Sequence, residues 1–404
     1  MKKCLKFISL AMVLVLLAAV LGACGRQPTP AAPAGSVAAT PMTPLPAPEP
    51  APADAADAAD ADADRDPSDV RIALIAHSPD SILDDGSFNE GAWAGIQRFA
   101  STHGLPSGNI DFFQPHSADD VARIDLIGDA IQGFGADILI LPGFHFISSL
   151  YDAQDIFPDT KFVLLDATPS GPGGPRVEAN VAAIHYAEHE SGFLAGYAAV
   201  MEGHRNLGFI GGIAVPAVVR FGHGFLQGAE HAAEYLGLAE GDVTVNYYYI
   251  GAFAPSPETA TMASAWYAGG VEVIFAAAGG AGASVKAGAE GAGGSVIGVD
   301  VDQAHLSPTV ITSAIKALDV SVYDMLTDFL NGTFRGGREL MFDASVNGIG
   351  LPMHSARFQN FTQADYDAIF ALLASGAVVV NNVVTETVSE ANLGLVLVTV
   401  NELN

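Results

Sequence analysis

The sequence predicts an α/β protein of two lobes, each a doubly wound parallel sheet with helices on both faces. From residue 70 onward, short apolar runs alternate with helix-length segments, which is typical of parallel strands joined by helical crossovers. Half of the 404 residues are hydrophobic and 15% are charged, which indicates a compact body. Roughly 330 residues of this pattern exceed what one hydrophobic core commonly holds, so we expect two lobes.

The predicted strands are short apolar runs, and several of them end at an aspartate or a glycine: 70–76, 136–143, 161–167, 206–213, 243–251, 271–280 and 295–300. Predicted helices lie between them, at 88–101, 189–201, 222–236, 257–268 and 283–291. In open α/β sheets, ligands bind beyond the carboxyl ends of the strands. The residues at those ends, Asp166, Gly211, Gly279 and Asp300, are therefore candidates for a site.

The N-terminus has the pattern of an export signal. Three lysines among the first six residues precede an apolar run, 7–20, and small residues then lead to "LGAC", which resembles the bacterial lipobox. The run is short for a membrane span. We expect cleavage after residue 23 and lipid on Cys24, which would anchor the protein to the extracytoplasmic face of the cell membrane. An ordinary signal peptide or an uncleaved anchor is the alternative.

The segment 24–69 is predicted to be the lipidated cysteine and a disordered tether. From residue 28 it consists mainly of Pro, Ala and Asp without apolar periodicity, so it cannot bury a core. The folded module is expected over 70–404, with the first lobe at about 70–185 plus a later return segment. The second lobe is expected at about 186–310 plus C-terminal segments. The chain carries 45 Asp and Glu against 17 Lys and Arg, which makes nucleic acid an improbable partner.

The stretch "DDGSFNEGAWAGIQRFA", 84–100, starts the first predicted helix. Ser87 and Glu90 have the spacing of a capping box. Phe88 and Asn89 then fall in the first turn, where free N–H groups favour polar ligand atoms. An asparagine there offers a donor and an acceptor to a nucleobase edge or a sugar hydroxyl. The stretch is either a helix start alone or a site built on one.

Other motifs leave similar alternatives. The glycine-rich turn in 276–290 lacks a phosphate-binding pattern and indicates close approach of backbone to a helix or to an uncharged ligand. Asp300 is either a helix cap or a group that accepts hydrogen bonds from both hydroxyls of a ribose. His185 and His189 have no evident third ligand, so no metal is expected. No catalytic motif and no cofactor motif is present, so we do not expect an enzyme.

Several blocks, in order, resemble the basic membrane lipoproteins, which are substrate-binding proteins of ABC importers and include purine nucleoside receptors. These blocks are "DGSFNEGAWAG", "NVAAIHYAEHESGFLAG", "GFIGGIAVPAVVRFGHGFLQG", "VEVIFAAAGGAG", "VIGVDVDQ" and "TSAIKALDVSVY". The resemblance extends from about Val70 to Pro352. It implies a type I periplasmic-binding-protein fold, in which two lobes joined by several crossovers close on a ligand in the cleft.

The resemblance also implies site residues and partners. A nucleoside base would stack on aromatic rings, its ribose would be held by Asp and Lys, and an ABC permease would receive it from a monomeric receptor. The ligand-binding residues implied by matching motif are Asp85, Phe88, Asn89, Asp166, Phe221, Gly280, Asp300 and Lys316. Leu83 stands where the family commonly has an aromatic residue, so one stacking partner is in question. A nucleoside-processing enzyme and a surface sensor of another small molecule are the competing functions.

Overall fold

The computed structural model describes residues 65–385 and 387–403. The predicted signal peptide, Cys24 and most of the predicted tether lie outside the described residues. Residues 67–69, at the end of the predicted tether, form a short 3₁₀ helix, and the Asp66 carboxylate accepts a hydrogen bond from the Ser68 N–H. Arg65 stacks 4.7 Å from the ring centre of Phe329, so the folded body begins earlier than residue 70.

The described residues form an α/β body with parallel sheets, as predicted. The strands are β1 (Ile72–Ile75), β2 (Ile110–Phe113), β3 (Ile138–Pro142), β4 (Lys161–Leu165), β5 (Ser170–Gly171), β6 (Gly174–Pro175), β7 (Val181–Tyr186), β8 (Asn206–Gly211), β9 (Val243–Tyr249), β10 (Val273–Ala277), β11 (Ser295–Asp300), β12 (Val310–Lys316), β13 (Arg338–Phe342), β14 (Ile349–Gly350) and β15 (Val398–Glu402). The helices are α1 (Phe88–His103), α2 (Asp120–Asp129), α3 (Ile147–Ile156), α4 (Glu188–Glu202), α5 (Pro216–Leu236), α6 (Pro257–Ala268), α7 (Gly282–Ala292), α8 (Leu318–Leu330), α9 (Gln363–Ala374) and α10 (Val388–Ala391).

The strands form two large sheets, one in each lobe. The first has the order β13-β7-β4-β3-β1-β2, and the second has the order β14-β12-β11-β10-β8-β9-β15. All neighbours in these sheets are parallel except β12 and β14. β5 and β6 form a small antiparallel ribbon.

Each sheet is covered on both faces because alternate residues of a strand point to opposite sides. In β1, Ile72 and Leu74 pack toward α1 and α8, whereas Ala73 and Ile75 pack toward α2 and α3. In the second lobe, Phe275 packs toward α4 and α5, and Ile274 packs toward α6 and α7. Continuous burial of both strand faces explains the unbroken apolar runs in the sequence.

The chain passes between the lobes at three places among the described residues: after β7, after β12 and between β13 and β14. The second lobe therefore extends to Lys316 before α8 and β13 return to the first lobe, six residues beyond the predicted limit at 310. β12 was not predicted because polar Thr312 and Ser313 interrupt its apolar pattern, although both are buried.

α4 and α5 pack closely and bring Glu188 and Phe221 to the side of the second lobe that faces the first. Their contact depends on glycines: a side chain at Gly196 would overlap the Phe225 carbonyl, and one at Gly228 would overlap the Phe193 carbonyl. α5 begins at Pro216, earlier than the predicted residue 222, because Pro fits the first turn of a helix.

Candidate functional site

The candidate site is centred on Lys316, which ends β12 at the second crossing between the lobes. Its Nζ lies 2.5 Å from Oδ2 of Asp166, 3.6 Å from Oε1 of Glu188 and 3.6 Å from Oδ1 of Asp300. The Lys316 side chain is 2% exposed, so these charges interact with little solvent screening. Three carboxylates around one ammonium leave an excess of negative charge, which favours a ligand that offers hydrogen-bond donors.

Asp166 and Asp300 reach Lys316 from different lobes, and both adopt an unusual backbone conformation. Asp166 follows β4 and Asp300 ends β11, with φ of 62° and 66°. The left-handed region is costly for residues other than glycine, and such strain is concentrated at functional sites. Oδ1 of Asp166 is buried and accepts no hydrogen bond from the described residues, so it is an acceptor available to a ligand.

Three aromatic rings surround the Lys316 ammonium. The ring centres of Phe88, Phe221 and Tyr186 lie 4.8, 5.2 and 5.6 Å from its Nζ. Phe88 is in the first turn of α1 and Phe221 is in α5, so the two lobes contribute one phenyl ring each. The predicted site residues Phe88, Phe221, Asp166, Asp300 and Lys316 are therefore brought together.

Asp85 and Asn89 shape the start of α1. Asp85 accepts hydrogen bonds from the backbone N–H groups of Ser87, Asn89 and Glu90, at 2.9, 3.1 and 3.2 Å. The Asn89 amide donates to the Ile82 carbonyl at 3.1 Å. Both residues thus have structural partners, and their contact with a ligand stays a prediction.

The predicted capping box of Ser87 and Glu90 does not form, because its hydrogen bonds go to other partners. Ser87 is the N-cap residue, but its hydroxyl makes no bond to the helix and instead donates to Oδ2 of Asp300 at 2.5 Å. Asp85 replaces it, because a charged carboxylate is the stronger acceptor for N–H groups at the positive helix end. Glu90 bonds the Gly86 N–H at 3.0 Å. The serine hydroxyl is thereby free to join the lobes.

The charge environment shifts several pKa values. Burial raises the pKa of Asp85 to about 6, against its three backbone N–H bonds, and the Asp300 carboxylate adds to the rise. Burial likewise raises the pKa of Asp166 to about 6, against the attraction of Lys316. Burial opposes the charge on Lys316, but the carboxylates of Asp166, Asp300 and Glu188 outweigh it and raise the Lys316 pKa.

Gly280 follows β10, the strand next to β11, and therefore lies at the same edge of the second sheet. A Cβ built there would lie 3.2 Å from the Phe253 carbonyl and 3.9 Å from Pro255 Cδ. Gly280 is thus packed beneath the loop after β9, whereas Phe88, Asp166, Phe221 and Asp300 all contact Lys316. Its role toward a ligand stays a prediction.

The two histidines considered as metal ligands have other surroundings. His185 lies in β7, with Nε2 3.0 Å from the Thr168 hydroxyl, and His189 lies in α4. Residues 65–385 and 387–403 contain no group of three or more His, Cys, Asp or Glu side chains arranged to hold a metal ion.

Sequence reasoning missed Glu188, Ser87 and Gln303. Glu188 starts α4, is 1% exposed and pairs with Lys316 and with Arg220 at 3.2 Å. Gln303 follows β11, and its amide donates to the Gly86 carbonyl of the other lobe at 2.6 Å. A charged residue between the apolar strand "VAAIHY" and the apolar helix "SGFLAG" was the available signal for Glu188, but its partner is 128 positions away in the chain.

A family model described as "ABC transporter substrate-binding protein PnrA-like" matches residues 70–375. The chain belongs to this family. The resemblance read from the sequence blocks is thereby confirmed, and the protein is a substrate-binding protein of the ABC transporter class. The match ends after α9, so α10 and β15 lie beyond it.

Several relatives are similar to this chain over most of their own length. The "ABC transporter nucleoside-binding protein BmpA" of Lactococcus lactis is 28% identical over 72% of this chain and 83% of its own. "Basic membrane protein A1" of Borrelia garinii is 31% identical over 67% of this chain and 77% of its own. These relatives are named as binding or membrane proteins and not as enzymes.

Solved structures confirm the predicted type I periplasmic-binding-protein fold. An ABC transporter solute-binding protein from Aeropyrum pernix has a TM-score of 0.66 at 22% identity, covering 80% of this chain and 95% of that one. A solute-binding protein from Conexibacter woesei has a TM-score of 0.62 at 22% identity, covering 78% and 99%. In the described part of this chain, no helix is both long enough and apolar enough to cross a membrane.

Proposed function

We propose that this PnrA-like protein captures a nucleoside, with purines preferred, in the cleft between its lobes and delivers it to an ABC permease. The observation that carries the proposal is the meeting of Asp166 and Asp300, one from each lobe, on a buried lysine flanked by two phenyl rings. Carboxylates accept from sugar hydroxyls and base N–H groups, while rings contact the flat faces of a base.

The name of the Lactococcus relative, a nucleoside-binding protein, supports the same ligand class. The excess of carboxylates supports an uncharged ligand, since a phosphate would meet like charges. Phe88 and Phe221 supply two rings without an aromatic residue at position 83, where Leu83 packs against the core. We propose contacts to the ligand from Asp85, Asn89 and the Gly280 backbone as well.

The N-terminal pattern supports a lipoprotein that is processed before Cys24 and held at the extracytoplasmic face of the cell membrane. We propose that it acts as a monomer. The described module would then stand on the tether, near the permease. Radiolabelled palmitate incorporation, which a Cys24→Ala variant should abolish, tests the anchor. An unlabelled wild-type protein would contradict it.

Isothermal titration calorimetry with a matched panel tests the ligand class. Inosine, adenosine and guanosine should bind, whereas their bases, ribose and short peptides should bind at least about tenfold more weakly, each having lost part of the contacts. Inosine 5′-monophosphate is the charge control and should also bind more weakly. Binding of sugars or peptides in place of nucleosides would overturn the nucleoside proposal and leave the family assignment intact.

The enzyme alternative is tested with the same protein. Inosine incubated with it at high protein concentration should be recovered unchanged by chromatography. Release of hypoxanthine that depends on the protein would favour a nucleoside hydrolase over a receptor.

A further inference from the structure

Lys286, on α7 of the second lobe, is a buried lysine that the proposed ligand site does not use. Its residue exposure is 7%, and no carboxylate of the described residues forms an ion pair with it. Its Nζ donates to Oε1 of Gln303 at 3.1 Å. A buried ammonium without a counter-charge is unfavourable, which calls for a role that offsets the cost.

Gln303 is 2% exposed and all its amide atoms are used. Oε1 accepts from Lys286, while Nε2 donates to the Gly86 carbonyl at 2.6 Å and to the Val299 carbonyl at 3.2 Å. Because an ammonium can only donate, the amide oxygen must face Lys286. The amide nitrogen is then directed at Gly86, which belongs to the first lobe.

Two glycines, Gly298 and Gly86, allow close packing around the Gln303 amide. A side chain at Gly298 would come within 2.6 Å of the Gln303 amide oxygen. Gly86, with φ of +66°, faces Leu306 of the second lobe. A Cβ added at Gly86 would lie 2.8 Å from Cδ1 of Leu306. The two lobes therefore meet at Gly86 with backbone-to-side-chain contact.

We propose that Lys286 is a positioning residue for lobe closure: its ammonium fixes the Gln303 amide so that the amide nitrogen bonds the Gly86 carbonyl across the cleft. This inference rests on the proposed capture of a ligand between the lobes. Gly86, which accepts from Gln303, is followed in the chain by Ser87, which donates to Asp300. Together they hold the start of α1 against the second lobe, which slows the escape of a bound ligand.

Burial lowers the pKa of Lys286 to about 8, so the buried site disfavours the charged form, and protonation of Lys286 does not by itself stabilise closure. The contribution of Lys286 is geometric. The Gly86 and Val299 carbonyls can only accept, so Nε2 of Gln303 faces them, and the bond from Lys286 to Oε1 holds the other end of the amide.

The other titratable groups on the neighbouring elements are engaged elsewhere. Glu290, one turn further along α7, accepts from the Ser307 hydroxyl at 2.6 Å. Asp300, at the end of β11, pairs with Lys316 and Ser87. Asp302, in the loop before Gln303, lies 3.5 Å from His354.

Stopped-flow dissociation of inosine tests the proposal in the full chain, with Lys286→Met, Gln303→Met and the double variant. At pH 7, Lys286→Met should release inosine about tenfold faster than the wild type, which corresponds to the loss of one charge-assisted hydrogen bond. Equal rates for wild type and Lys286→Met at pH 7 would overturn the proposal.

The double variant separates positioning from packing. Because Lys286 acts through Gln303, the double variant should release inosine no faster than Gln303→Met alone. Additive effects would show that Lys286 acts on its own and would contradict the proposal.

A second measurement keeps the test independent of the ligand class. If no nucleoside binds, the proposed function fails, and the same four proteins are compared by small-angle X-ray scattering without ligand. At pH 7, Lys286→Met and Gln303→Met should both have a larger radius of gyration than the wild type, and the increase should be the same for the two variants. A radius unchanged by both substitutions would refute the Gln303–Gly86 bond as a contact that holds the lobes closed.

Discussion

Replacing Asp300 by asparagine should remove ligand affinity while leaving the fold intact. Asn has the same shape and tolerates the left-handed backbone that Asp300 adopts at φ of 66°. Asn also keeps one oxygen that can accept from the Ser87 hydroxyl. It removes one of three carboxylates around Lys316 and sets an amide donor where Oδ1 lies 3.6 Å from the ammonium, but Asp166 and Glu188 still pair with Lys316. The free energy of unfolding should therefore fall by only about 1 kcal/mol.

The loss in binding should be much larger than the loss in stability. A hydrogen bond to a charged acceptor contributes about 1.5–3 kcal/mol, and Asn replaces one of the two carboxylate oxygens by a donor, which cannot accept from a ribose hydroxyl. One lost bond and one weakened bond amount to about 2–4 kcal/mol, a decrease in inosine affinity of roughly 30- to 1000-fold.

Calorimetry measures the affinity, and urea unfolding measures the stability. Asp302→Asn is the matched control, since Asp302 lies two residues away in the adjoining loop, its side chain is 30% exposed, and it contacts His354 at 3.5 Å instead of Lys316. It should bind inosine like the wild type. If Asp300→Asn also bound inosine with unchanged affinity, Asp300 would have no place in the ligand site. Asp300→Ala should lose affinity too, with an added backbone cost of about 1–2 kcal/mol in stability.

Three further predictions concern the buried charges. Lys316→Met should lower the free energy of unfolding by about 3–5 kcal/mol in urea titrations, because it leaves buried carboxylates without their cation. A loss below about 1 kcal/mol would contradict the conclusion that the ion pairs of Lys316 stabilise the fold. Inosine affinity should fall as the pH drops through about 6, where Asp85 and Asp166 take up protons, because each then loses its negative charge and one oxygen becomes a donor. A flat calorimetric profile from pH 7.5 to 5 would exclude both as charged acceptors for the ligand. Glu230→Gln should lower the free energy of unfolding by about 1–3 kcal/mol and accelerate hydrogen exchange in β15, because the buried carboxylate accepts hydrogen bonds from backbone N–H groups at the start of that strand. The control Glu234→Gln, on the exposed side of α5, should change neither the stability nor the exchange rate.

The sequence predicted the α/β class because burial on both strand faces produces continuous apolar runs, and all seven predicted strands overlap observed ones. It missed β12, whose buried Thr312 and Ser313 break that pattern. It also missed β2, β13 and β15, which lie at sheet edges and have exposed residues. Local patterns report the burial of a residue and not the strand with which it pairs.

For the site, the sequence by itself determined the chemical groups. Strand-end aspartates, a first-turn Phe-Asn pair and the ordered family blocks identified Asp166, Asp300 and Phe88 without any coordinates. Only the tertiary structure decided how those groups are used. In the folded chain the Ser87 hydroxyl bonds Asp300, and Asp85 caps the helix in its place. Glu188 and Asp166 both pair with the Lys316 ammonium. A hydrogen bond or an ion pair between residues more than 100 positions apart depends on how the chain crosses between lobes, and no local pattern records that path.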